Sequence, residues 1–281
     1  MTARVREARD PFDVGAVPVM AQYTDKRSPR SPVQFRSYTP SLRLTPFVRN
    51  FWTMHSESPL AVSRKQRILP DGCIDMIFMR RSPAEDYAAC VAGTMTRPIF
   101  TELIGRVDYL GVRFAPGGFP HLFDAPPAEL TDRVVPLDNL PGRPSLAEQM
   151  AGRDDVRARL DEIENELSRR LGSERPDPVL AQVLQAISTC QGNVTITQLA
   201  CLADRSPRHL RRTFIQAVGI GPKTFCRIAR FRAALRALRR PRPDLLAVAL
   251  EAGYYDQAHF IHDFNDLYGA SPSAALEDPT F

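Results

Sequence analysis

Apolar and polar positions alternate in two different ways along this chain. Between residues 34 and 140, short runs rich in β-branched and aromatic residues recur: FVRNFWTM, CIDMIFM, YAACVAGTM, IFTELIG and YLGVRF. Turn-forming pieces such as LPDG and FAPGGFP separate them. This spacing predicts a β-rich barrel-like or sandwich domain over residues 34–144. From residue 145 the period lengthens. Val156, Leu160, Ile163, Leu167 and Leu171 follow a 3–4 spacing among charged neighbours, which predicts an amphipathic helix within 145–171. Its stripe suits either dimerisation or packing on its own β-domain. The segment GSERPDP (172–178) breaks the pattern and reads as a linker. Residues 179–281 are helical in pattern throughout, so the expected class is α+β. Residues 1–33 are rich in Arg, Pro and Ser without a sustained period, as in a disordered tail.

Within the helical part, the same unit is written twice. Thr195 is a good helix N-cap, and Gln198 completes a capping box. Ile196, Leu199, Ala200 and Ala203 face inward, Asp204-Arg205 turn, and Ser206 caps a second helix with Pro207 in its first position. That second helix carries Leu210, Phe214 and Val218 and stops at Gly219. Two helices joined by a short turn predict a helix-turn-helix, whose second helix enters the major groove of DNA. About 50 residues later, Asp244 takes the place of Thr195 and Asp256 that of Ser206. Phe260, Phe264, Gly269 and Pro272 match Leu210, Phe214, Gly219 and Pro222. An internal repeat of this kind is stronger evidence than either copy alone. Between the copies, residues 223–239 predict one helix of roughly 25 Å at about 1.5 Å per residue. Such a helix can hold two recognition helices near the one-turn DNA spacing of about 34 Å.

Charge sharpens this picture. The net charge is only +5, but its distribution is uneven. Residues 205–242 hold twelve Lys or Arg and no Asp or Glu, whereas residues 243–281 hold seven Asp or Glu and no Lys or Arg. The first unit is therefore expected to grip the DNA backbone and the second to contribute less.

Two segments, SPRHLRRTFIQAVGIGPKTF and ALEAGYYDQAHFIHDFNDLYGASPSAAL, resemble the DNA-binding domain of AraC/XylS-type transcription regulators. The second carries the pattern's specific positions in Ala249, Gly253, Tyr254, Asp256, Gln257, Phe260, Phe264, Gly269, Ser271 and Pro272. The resemblance covers about Val179 to Leu276. It implies base contacts from Arg208, Arg211 and Arg212 in the first recognition helix, with phosphate contact as the alternative. Ser206 and Thr195 are candidates for contacts to the DNA backbone, and His209 is directed toward the helix crossing. In the second recognition helix the matching positions are Ala258, Ile261 and His262, with Gln257 and His259 nearby. The family commonly has Arg where His262 stands, so this chain departs there. The resemblance further implies double-stranded DNA and RNA polymerase as partners, an N-terminal region that senses a small-molecule effector or forms a homodimer, and a role as an activator. RILPDGCIDMIF, VAGTMTRPIF and VRFAPGGFPHLF resemble an uncharacterised sensor-like domain found ahead of such modules.

In the β-domain, Trp52, Asp71, Cys73, Asp75 and Arg113 lie near expected strand ends and are the candidate pocket residues. No catalytic triad, phosphate loop or metal-ligand spacing is present in the sequence, so neither an enzyme nor a cofactor is expected. The competing readings are a ligand-binding or enzymatic β-domain with an attached helical targeting module, or an adaptor that meets another protein through its acidic unit. Of the five cysteines, Cys190, Cys201 and Cys226 fall in helical patterns and are expected to be buried apolar fillers. Without an apolar leader core or a run of about 18 apolar residues, the expectation is a cytoplasmic protein with no membrane partner.

Overall fold

In the computed structural model, residues 32–80, 87–141, 146–149 and 155–278 are described. Residues 1–31 of the expected tail lie outside them. Eight strands are present among the described residues: β1 (Val33–Tyr38), β2 (Val48–Ser56), β3 (Leu60–Ile68), β4 (Ile74–Met79), β5 (Ala88–Ala92), β6 (Ile99–Gly105), β7 (Asp108–Phe114) and β8 (Val134–Pro136). Six form an antiparallel sheet in the order β1-β2-β7-β4-β5-β8, and β3 pairs with β6 in a separate ribbon. The sheet does not close into a barrel. Its order is linear, with β1 at one edge and the three-residue β8 at the other.

The period of two along these strands sorts side chains onto two faces. Phe51, Val112, Met76 and Val91 form a cross-strand row on one face. Trp52, Gly111, Ile77 and Cys90 form the neighbouring row on the other. The first face is covered by α3 (Val156–Leu171), whose Leu160, Ile163, Leu167 and Leu171 join the same core as Val48, Met76 and Phe114. The apolar stripe of that helix is thus buried against its own β-domain. The second face is covered by the β3–β6 ribbon, with Ile68 and Leu103 packed on Trp52 and Ile77. Gly111 is required here, because a Cβ would lie 2.0 Å from the Trp52 ring.

Short helices α1 (Pro127–Leu130) and α2 (Leu146–Gln149) close this domain. The helical unit follows: α4 (Pro178–Thr189), α5 (Ile196–Leu202), α6 (Pro207–Val218), α7 (Pro222–Leu238), α8 (Leu245–Glu251), α9 (Gln257–Tyr268) and α10 (Pro272–Glu277). The repeat is visible in the caps. Thr195, Ser206, Asp244 and Asp256 each accept a backbone N–H of the helix they begin. Gly219 and Gly269, at φ +93° and +83°, end α6 and α9 in the left-handed conformation that glycine adopts without strain. Phe214, Phe231, Phe260 and Phe264 meet in one core that serves both halves.

The two domains share contacts. Leu69 of the β-domain belongs to the helical core, and α1 packs on α6. The Thr94 hydroxyl donates to the Val218 carbonyl at 2.7 Å, and that of Thr131 to the Gly219 carbonyl at 2.9 Å. Arg67 of β3 lies 4.1 Å from the Tyr268 ring centroid and pairs with Asp278 at 3.2 Å. Cys226 is buried as its pattern implies, but Cys190 and Cys201 are exposed. Cys190 is the C-cap residue of α4, and Cys201 lies next to the buried Leu199 and Ala200 on the outward side of the short α5.

Candidate nucleic-acid interface

Helix α6 is strongly amphipathic. Leu210, Phe214 and Val218 are buried, while Arg208, Arg211, Arg212 and Gln216 are exposed and α6 carries no acid. The 3.6-residue period places these arginines on the side away from the core. Ser206 is held by its capping role, its Oγ accepting from the His209 N–H at 3.2 Å. Thr195 is engaged in a full capping box with Gln198. His209 is half-buried, and its Nδ1 lies 3.4 Å from Nη2 of Arg212. The exposed basic face of α6 can therefore present forked donors to phosphates or to guanine edges.

The same face of α9 has different chemistry. Ala258, His259, His262, Asn265 and Asp266 are exposed, and Gln257 and Ile261 are half-buried. No Lys or Arg lies on this helix. Its acids are engaged with the scaffold. Arg227 of α7 donates through Nε to Asp263 at 2.8 Å and through Nη2 to Asp266 at 2.6 Å. His262 Nε2 lies 3.7 Å from Asp266, and His259 Nε2 lies 4.0 Å from Asp263. Asp256 caps α9, Asp244 caps α8, and Glu251 binds Arg240 through two bonds of 2.6 and 2.7 Å. The acidic half of the charge pattern is thus largely internal wiring. It also takes Arg227 and Arg240 out of the basic half. Sequence reasoning missed these pairs because the partners lie 36, 39 and 11 residues apart.

The β-domain candidates come together in one buried cluster. Asp75 and Arg113 are cross-strand partners between β4 and β7. Arg113 donates through Nε and Nη2 to Asp75, at 3.1 and 2.9 Å, and pairs through Nη1 with Asp71 at 3.1 Å. Trp52 Nε1 donates to Asp75 at 3.2 Å. The Asp71 carboxylate also accepts the Cys73 N–H at 3.0 Å, closing the Asp-Gly turn. Desolvation would raise Asp71, but the charges of Arg113, Arg232 and Arg49 and the Cys73 N–H outweigh it and hold the carboxyl low. Burial pushes the Cys73 thiol up to about 12, helped by Asp71, so it is no thiolate nucleophile near neutrality. Among the described residues, no group of His, Cys, Asp and Glu could hold a metal ion. No described helix is long and apolar enough to cross a membrane.

With this geometry in place, comparison with known proteins divides the chain as the fold does. Residues 199–278 match the family described as a helix-turn-helix domain. The C-terminal unit is a helix-turn-helix domain. Residues 36–136 match a domain of unknown function, DUF6597. An uncharacterized HTH-type transcriptional regulator of Haemophilus influenzae is 35% identical over 111 residues, covering 40% of this chain and 36% of that protein. The HTH-type transcriptional regulator GlxA of Rhizobium meliloti is 33% identical over 98 residues, covering 34% of this chain and 30% of that protein. The chain spans about a third of the length of the curated relatives it matches. A crystal structure of a probable AraC family transcriptional regulator from Rhodopseudomonas palustris matches with 27% identity and a TM-score of 0.33. That match covers 36% of this chain and 96% of the other.

Proposed function

We propose that this chain is a cytoplasmic, sequence-specific transcription regulator that binds double-stranded DNA mainly through α6. The observation that carries the reading is the contrast between repeats. The α6 face presents Arg208, Arg211 and Arg212 with no acid, whereas the α9 face lacks cations and its Asp263 and Asp266 hold Arg227. In this reading α9 is chiefly scaffold, Ser206 and Thr195 stiffen the helix ends that approach the backbone, and activation would proceed through RNA polymerase.

The test is duplex binding as a function of salt. Each phosphate contact contributes a slope of about −0.9 in log K against log salt. Replacing Arg211 and Arg212 together by Ala should flatten the slope by up to about two such contacts. His262→Ala should leave it unchanged. His262→Arg should raise non-specific affinity if α9 lies within reach of the duplex. If the α6 double variant binds DNA as the parent does, the assignment of the recognition helix is wrong.

A further inference from the structure

A cavity of about 390 Å³ lies where the two domains meet. That volume falls in the range of small-molecule sites, about 300–1,000 Å³. The β-domain contributes Phe47, Arg49 and Asp71 to its wall. Helices α4 and α7 contribute Leu184, Phe225, Ile228, Arg232 and Arg236. The wall is thus apolar, with a few charged groups converging on it, as ligand sites are.

Those charges have a sign. Arg49, Arg232 and Arg236 face two acids, Asp71 and Asp177. Both acids are already occupied. Asp71 pairs with Arg113, and Asp177 caps α4 by accepting the Val179 N–H at 2.8 Å. Arg232 is the least satisfied of the cations. Its Nη1 is buried without a hydrogen-bond partner. Desolvation lowers its pKa to about 10, with Asp71 opposing that fall. A buried donor left unpaired is costly, and a hydrogen-bonding anion nearby offsets that cost.

We infer that this cavity is the effector site of the protein, and that it takes a small organic monocarboxylate whose apolar body lies against Phe47, Leu184 and Phe225 and whose carboxylate meets Arg232. A single negative charge fits better than two, because the cations exceed the acids by one and Asp71 sits in the same wall. The ligand would touch the β-domain and α7, the helix that joins the two helix-turn-helix units. Binding would then favour the packed arrangement of the domains over any other, since a ligand shifts an equilibrium only by its differential affinity for the two states. The effector role rests on the regulator reading; the binding site does not.

The experiment uses the full chain without DNA, probed with benzoate, phenylacetate and hexanoate, their neutral amides, and phenyl phosphate. Titration calorimetry and thermal melting should show at least one carboxylate binding at least tenfold tighter than its amide and than phenyl phosphate. Arg232→Gln should weaken that carboxylate at least tenfold, and Leu184→Trp, which fills the cavity, should remove it. Arg236→Gln, at an exposed position, gives a second charge test should Arg232→Gln fail to fold. Absence of binding by every carboxylate, equal binding of the amides, or indifference to both charge changes and to Leu184→Trp would overturn the site. DNA binding that survives such a result leaves the regulator reading standing, and carboxylate binding by a protein that ignores DNA leaves the site standing without its regulatory role.

Discussion

Replacing Arg113 with Met is the sharpest test of the β-domain. The guanidinium is 5% exposed and joins two carboxylates: Asp75, 1% exposed, at 2.9 Å, and Asp71 at 3.1 Å. Methionine fills much of the same space but supplies no donor. Asp75 would keep the Trp52 indole N–H, while Asp71 would keep the Cys73 N–H and the nearby charges of Arg232 and Arg49, so the loss falls mainly on Asp75. Removing one partner of a buried pair costs about 3–5 kcal/mol, because the other charge stays behind uncompensated. Against a total stability of about 5–15 kcal/mol, that is a large fraction. The chain's single tryptophan sits in this cluster, so its fluorescence reports unfolding of the β-domain directly. Urea unfolding at pH 7 should show the midpoint falling with little change in slope. The loss should shrink near pH 4, where the stranded carboxyls take up protons. Adding Asp71→Asn and Asp75→Asn to Arg113→Met should restore most of the stability. A loss under about 1 kcal/mol for Arg113→Met alone would refute the argument, since it would mean the cluster is well hydrated.

Three further outcomes are expected. Asp71 has a folded-state pKa below its unfolded value, so its contribution is present above the ordinary aspartate value of about 3.9 and is lost as pH falls through the lower folded value; acid titration of Asp71→Asn, followed by fluorescence, should show less loss of stability across that window than the parent. Gly219→Ala should destabilise the protein by about 1–3 kcal/mol, because φ is +93° and the added Cβ would lie 2.8 Å from the Pro127 carbonyl oxygen; an unchanged melting temperature would contradict so tight a fit between this turn and α1. Arg227→Met should cost about 1–3 kcal/mol by stranding the buried Asp263, yet leave the salt slope of DNA binding unchanged, since the side chain is tied to α9; calorimetry and duplex titration separate the two effects.

The helical repeat was legible because its determinants are local. A cap acts within three residues of itself, as Ser206 does on His209 and Asp256 on His259. The glycines at 219 and 269 end their helices wherever the rest of the chain lies. The face of α6 followed from periodicity alone. What lay beyond the sequence was pairing at a distance. The register that sets Asp75 against Arg113 depends on which strands are neighbours, and alternation within a strand does not specify that. The engagement of Arg227 by Asp263 and Asp266 likewise depends on how α9 lies along α7. The short, evenly spaced strands pointed to a barrel-like or sandwich domain without saying which strands share a sheet; β3 and β6 leave the main sheet to cover its face. The exposed Cys201 shows the limit of periodicity in a seven-residue helix, which is too short to fix its own inward side.

The two hydroxyls at the end of α6 have a consequence for interchangeability. The Val218 and Gly219 carbonyls belong to a helix terminus, where the helix itself offers no partner. Thr94 and Thr131 of the β-domain supply the donors. The helical unit is therefore fitted to the domain that precedes it. A chimera that keeps residues 179–278 and changes the preceding domain would remove both donors from the end of α6. A replacement domain that brings a matching pair of donors is the better starting point for such a chimera.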